Sequence, residues 1–122
     1  MKLLIADDSA LLRQRLSMLI TEFLGITDIE QTEDVPGTIE AIKSKKPDVV
    51  VLDMRMPGGS GIDVLKKVQK EDQKPIIIVF TNYPYPRFRK SCLAVGADFF
   101  LDKSFNHNEL LGVLKKLKNK FL

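Results

Sequence analysis

Val49-Val50-Val51-Leu52-Asp53-Met54-Arg55-Met56-Pro57 is the stretch on which the reading of this chain turns. Four apolar residues, three of them β-branched, follow Pro47-Asp48 with no polar residue among them. That pattern suits a central strand of a parallel sheet covered by helices on both faces. The run stops on Asp53. Open α/β sheets bind their ligands outside the carboxyl ends of the strands, so this carboxylate stands where chemistry is expected. Taken alone, such an Asp equally well leaves the strand and starts a turn, and its meaning depends on what stands at the other strand ends.

Outward from this strand the pattern repeats. Upstream, Leu3 to Ala6 is a short apolar strand that ends on Asp7-Asp8-Ser9, whose oxygens can cap a helix. Leu12, Leu16, Leu19, Ile20, Phe23 and Leu24 then recur on one helical face, and Gly25 closes it. The middle of Ile26 to Asp34 is read as the second strand. Val35, Ile39 and Ile42 mark a second helix that stops before Pro47. Downstream, a Gly58-Gly59-Ser60-Gly61 turn leads to a third helix carrying Ile62, Leu65 and Val68. Pro75 to Thr81 is another unbroken apolar run. Pro84 and Pro86 lack donors and fix φ, so the fourth helix, with Phe88, Cys92 and Val95, is delayed until about Pro86 and stops at Gly96. Phe99-Phe100-Leu101 is the fifth strand, ending at Asp102-Lys103, and Leu110, Leu114, Leu117 and Phe121 make a last amphipathic helix. The expectation is an α/β fold, a (βα)5 doubly wound five-stranded parallel sheet in a flavodoxin-like three-layer sandwich.

Composition narrows the function. At 122 residues, with 44% hydrophobic and 29% charged residues, the chain reads as one soluble globular domain over residues 1–122, expected to be complete and to carry no output domain. Cys92 and His107 are the only residues of their types, which excludes a disulfide framework and a Cys/His zinc site within the chain and fits a cytoplasmic setting. Neither receives a role: the histidine falls near a helix cap and the cysteine on the core stripe of the fourth helix. No apolar run approaches the ~20 residues of a membrane span. A net charge of +3 is too small to demand nucleic acid. The basic residues Arg87, Arg89, Lys90, Lys115, Lys116, Lys118 and Lys120 read as solvated faces that also favour the last helix dipole, or as a surface for an acidic partner.

Laid side by side, the strand ends define a site. Strands one and three deliver the carboxylates of Asp7, Asp8 and Asp53, strand four the hydroxyl of Thr81, and strand five the ammonium of Lys103. Three like charges at close range are costly unless a cation joins them, and an all-oxygen set favours a hard divalent ion, Mg²⁺ or Mn²⁺. Such a site suits phosphoryl transfer, in which a metal and a lysine neutralise phosphoryl oxygens and a carboxylate can be the nucleophile. Each residue also has an ordinary reading as a cap, a strand residue or a solvated lysine. Five of them at one edge of one sheet are hard to explain that way.

The chain resembles a response-regulator receiver domain, similar over essentially its whole length to single-domain members of the chemotaxis type. Asp7-Asp8, the segment Asp53-Met54-Arg55-Met56-Pro57-Gly58 with Gly61, Thr81, Gly96-Ala97-Asp98 and Lys103 carry the resemblance. It implies that Asp53 accepts a phosphoryl group from the phosphohistidine of a sensor histidine kinase or histidine phosphotransfer protein. Asp8, Asp53 and the backbone carbonyl of Arg55 would bind Mg²⁺, with Asp7 acting through water. Thr81 and Lys103 would hold phosphoryl oxygens, and Phe100 would be the switch aromatic. The fourth helix, fifth strand and fifth helix would form the face read by a downstream protein, in a monomer or a phosphorylation-linked dimer.

Departures from the family pattern are equally specific. The lysine is followed by Ser104 where proline through a cis bond is usual, and that form would cost ~3 kcal/mol at a non-proline residue. Asn82 replaces a very small residue, and with Arg55 and Tyr83 it is expected to crowd the approach to Asp53. A dehalogenase-type phosphatase also uses an Asp after a parallel strand, but places an acid two residues later, where this chain has Arg55. A phosphorylation-independent interaction module or a basic nucleic-acid binder on the same fold is the remaining alternative. No G-x-G-x-x-G or Walker sequence follows the first strand.

Overall fold

The computed structural model describes residues 1–82, 86–104 and 107–121. Five strands form one parallel sheet: β1 (Leu3–Ala6), β2 (Ile29–Thr32), β3 (Val49–Leu52), β6 (Ile76–Thr81) and β7 (Phe99–Asp102), in the order β2-β1-β3-β6-β7. Helices α1 (Ala10–Leu24), α2 (Val35–Lys45), α3 (Gly61–Val68), α4 (Pro86–Ala94) and α5 (Asn108–Lys120) alternate with them. The chain moves outward from β1 to β2 and then returns to β1's other side at β3. This reversal makes the carboxyl ends of β1 and β3 the switch point where a crevice opens. One element has no counterpart in the sequence reading: β4 (Arg55–Met56) and β5 (Gly59–Ser60) pair antiparallel as a small hairpin beyond β3.

Both faces of the sheet are buried, which is why β3 shows no polar alternation. Val50 and Leu52 join a layer under α2, α3 and α4 that also holds Leu65, Val68, Cys92 and Phe100. Val49 and Val51 point the other way, with Ile5 and Ile78, into a layer closed by Leu16 and Ile20 of α1 and by Leu110, Leu114 and Leu117 of α5. The expected six-residue face of α1 is narrower than that: Phe23 is 65% exposed, because Leu16 and Ile20 centre the buried stripe and Phe23 falls at its margin. Phe121 likewise lies past the end of α5 and is 43% exposed. Lys118 is not simply solvated, since its Nζ donates to the Leu24 carbonyl and ties α5 to the last turn of α1.

Caps and turns fall where the side chains allow them. Ser9 caps α1 by accepting from the Leu12 N–H at 3.2 Å, and Gly25, at φ 67°, takes the left-handed conformation that ends the helix. Asp34 caps α2, whose first turn holds Pro36. Helix α4 spans Pro86–Ala94, and the fixed φ of Pro86 suits a first helical residue. The Lys103–Ser104 bond is trans, and no cis peptide occurs among the described residues. No helix of the described residues is long and apolar enough to cross a membrane.

Candidate functional site

Sheet register brings the predicted residues together. Ala6 pairs with Leu52 and Thr81 with Asp102, so Asp7, Asp53 and Lys103 leave the sheet at nearly one level. The Asp53 N–H donates to the Ala6 carbonyl, and the Lys103 N–H to the Thr81 carbonyl, each at 2.9 Å. Asp7 is 3% exposed; its Oδ1 accepts from the Ser9 N–H at 2.9 Å, and its carbonyl accepts from the Arg13 guanidinium at 2.7 Å. Asp53 is 6% exposed, with Oδ1 accepting from the Met54 N–H at 2.8 Å. Asp8 stands exposed beside them.

Lys103 joins the two buried acids. Its Nζ lies 2.5 Å from Asp7 Oδ2 and 3.2 Å from Asp53 Oδ2, so one ammonium bridges the ends of β1 and β3. Burial nevertheless raises the Asp53 pKa above its ordinary value of 3.8; Lys103 pulls it down, and the Asp7 charge pushes it up again. The bridge therefore offsets only part of the desolvation. Behind Asp53 the backbone is held by Gly61, whose N–H donates to the Met54 carbonyl at 2.9 Å. A Cβ on Gly61 would lie 2.9 Å from the Asp53 carbonyl oxygen, so glycine is required there by close approach.

These groups line a cavity of about 560 Å³, floored by Asp7, Asp53 and Lys103 and rimmed by Asp8, Arg55 and Asn82. Thr81 is fully buried one residue behind Asn82 and does not line it. Phe100, 7% exposed, sits in the layer under α4, its backbone paired with Val79. Tyr83, expected to crowd the approach, lies outside the described residues. Sequence reasoning left out His107, which lines the cavity together with Ser9 and Leu12 and packs edge-on against Phe80, ring centroids 5.7 Å apart. Its place four residues after Lys103, at the start of a helix rising from the same edge, was the available signal. Cys92 is buried as expected, with Sγ 3.4 Å from Met54 Sδ, and burial pushes its thiol pKa up, away from reactivity.

Asp7, Asp8 and Asp53 each offer an oxygen, and the three atoms lie within 4.8 Å of one another. An all-oxygen set with negative charge in excess of Lys103 and Arg55 fits a hard divalent cation that keeps part of its water shell. The same floor presents a carboxylate nucleophile beside an ammonium. That combination suits transfer of an anionic group to Asp53.

A family model described as response regulator receiver domain matches residues 3–115. The chain is similar to the sensory transduction protein LytR of Staphylococcus haemolyticus (strain JCSC1435), 32% identical over 119 residues covering 98% of this chain and 46% of that protein. To the sensory transduction protein LytT of Bacillus subtilis (strain 168) it is 28% identical over 118 residues, covering 97% of this chain and 48% of that one. It thus spans less than half the length of either relative. Among solved structures, a LuxR-family DNA-binding response regulator from Staphylococcus aureus superposes with a TM-score of 0.84 at 28% identity, covering 94% of this chain and 96% of that chain. The response regulator domain of Thermotoga maritima CheB shares the fold, with a TM-score of 0.79 at 24% identity, covering 98% of this chain and 94% of that chain.

Proposed function

This chain belongs to the response regulator receiver domain family, and on that premise we propose that Asp53 accepts a phosphoryl group from the phosphohistidine of a sensor histidine kinase or histidine phosphotransfer protein. The observation that carries the reading is the Lys103 ammonium bridging Asp7 and Asp53 on the floor of a cavity at the switch point of the sheet. A buried carboxylate whose charge is only partly offset is a competent nucleophile, and it is held in place by the Met54 N–H and the Gly61 contact. Asp8, Asp53 and the Arg55 carbonyl would hold Mg²⁺ or Mn²⁺, with Asp7 acting through water. The ion, when bound, supplies positive charge for the incoming phosphoryl dianion. Lys103 would pair with a phosphoryl oxygen as its ion pair with Asp53 is replaced, and the Thr81 hydroxyl, buried behind the cavity at the end of the neighbouring strand, would turn toward another.

The acyl phosphate then acts as a signal read at the face formed by α4, β7 and α5. Thr81 and Phe100 are the coupling residues in this reading: Thr81 pairs with β7, and Phe100 packs in the layer beneath α4. Incubation with acetyl phosphate and Mg²⁺ should add one phosphoryl mass to the protein, located by peptide mapping on Asp53. EDTA or Asp53→Asn should abolish it. Equal labelling of the Asn variant would overturn the assignment.

A further inference from the structure

We infer that His107 and Leu12 form the subsite that receives the ring of the phosphoryl donor, an N-phosphorylated imidazole, and so make His107 a specificity residue for that donor class. The inference rests on the proposed role of Asp53 and names what the remainder of the cavity is for. At about 560 Å³ the cavity is many times larger than a phosphoryl group needs. Its acids and Lys103 occupy the floor, while the N-terminal ends of α1 and α5 supply a wall of different chemistry, the half-buried side chains of Leu12 and His107.

His107 is placed for contact rather than for capping. It is the N-cap residue of α5, yet its side chain makes no capping hydrogen bond. The ring is instead braced edge-on by Phe80, at an interplanar angle of 72°, and borders the cavity. A flat, amphipathic ring held by a buried aromatic neighbour is suited to pack against another flat ring, with an aliphatic side chain completing the slot.

Reaction geometry puts the donor ring in the outer part of the cavity. Phosphoryl transfer is in line: the bond from phosphorus to an Asp53 carboxylate oxygen forms on one side as the phosphorus–nitrogen bond breaks on the other. The electron pair of the broken bond stays on the donor nitrogen. With a proton on its second nitrogen, the donor ring leaves as neutral imidazole. Because Asp53 lies at the floor, the leaving ring lies toward the mouth, between the rim residues and the Leu12–His107 wall. Acetate, the leaving group of acetyl phosphate, has no ring to place there. The two donors therefore share the acceptor and differ in their use of this wall.

The test compares phosphorylation rates of the full chain with monophosphoimidazole and with acetyl phosphate, in the same Mg²⁺ buffer, for wild type, His107→Ala and His107→Phe. The alanine variant should lose about tenfold in the second-order rate constant of phosphorylation by phosphoimidazole while changing less than twofold for acetyl phosphate, and the phenylalanine variant, which keeps a ring, should recover most of the loss. A merely structural role would lower both rates together, and that result, or no change in either, would overturn the inference while leaving Asp53 as acceptor. Wild-type protein that takes phosphoryl mass from neither donor would overturn the acceptor reading and this inference with it.

Discussion

Asp53 is costly to keep ionised in the free protein. Its folded pKa is raised above 3.8 mainly by burial, so the folded state binds its proton more tightly than the unfolded chain does. Above the folded pKa the ionised group therefore subtracts from stability. That penalty fades as pH falls through the folded pKa toward the unfolded one. In metal-free buffer near neutral pH, Asp53→Asn should thus raise the melting temperature by a few degrees, and the gain should shrink as the pH is lowered through that window; calorimetry at several pH values checks both. If, as proposed, Asp53 helps hold Mg²⁺, protons compete with the ion for that carboxylate, and Mg²⁺ affinity should fall across the same window. An Asn variant less stable than wild type at neutral pH would show that the Lys103 pair outweighs burial. At the rim, Arg55 and Asn82 are exposed and border the cavity above Asp53. Hydrolysis needs water in line with the phosphorus–oxygen bond, and each tenfold change in its rate corresponds to only about 1.4 kcal/mol of approach or positioning. The double variant Arg55→Asn, Asn82→Ala should lose its phosphoryl group several times faster after donor removal, as followed by intact mass. Unchanged decay would mean that these side chains do not shield the bond.

The elements set the tolerances of the site. Helix α3 starts so close to β3 that a methyl on Gly61 would meet the Asp53 carbonyl oxygen and the Met54 sulfur, each at 2.9 Å. The Met54 side chain can turn aside, but the Asp53 backbone cannot move without moving its carboxylate. Gly61→Ala should cost about 1–3 kcal/mol in denaturant unfolding and slow acetyl phosphate labelling of Asp53; wild-type values for both would show that the helix start yields freely. Much of this was legible beforehand, for physical reasons. Strands β3 and β6 are buried on both faces and so read as unbroken apolar runs, and the five site residues stand at strand ends because register aligns those ends. Strand β2 was indistinct because Ile29-Glu30-Gln31-Thr32 is an edge strand with only half-buried and exposed residues. The β4–β5 hairpin escaped notice because two residues per strand leave no periodicity to read. His107 received no role because its nearness to Lys103 in the chain does not by itself show that the starts of α1 and α5 line one cavity.

At the scale of the whole molecule, charge is segregated along the chain. From residue 82 to the end there are eight basic residues and three acidic ones, although the entire chain carries only +3. Most of the excess lies on the two helices that flank β7, the edge strand whose end supplies Lys103. Helix α4 has Arg87, Arg89 and Lys90 exposed and no acid. On α5 the lysines divide by direction: Lys118 turns toward α1, where it holds the Leu24 carbonyl, whereas Lys116 and Lys120, two residues to either side, lie about 200° around the helix from it. The basic residues left for a partner are therefore those on the side of α5 away from α1. A partner reading this face would meet positive charge at its rim, where complementary charge acts chiefly on the association rate and is screened by salt. Reversing Arg89, Lys90 and Lys116 to Glu should weaken phosphorylation-dependent partner binding by more than tenfold at low salt, with the difference narrowing at high salt, while Asp53 labelling by acetyl phosphate stays at the wild-type rate. Binding titrations of the phosphorylated protein at two ionic strengths separate these effects. A partner that binds the reversed and wild-type proteins equally well would place the output elsewhere on the molecule.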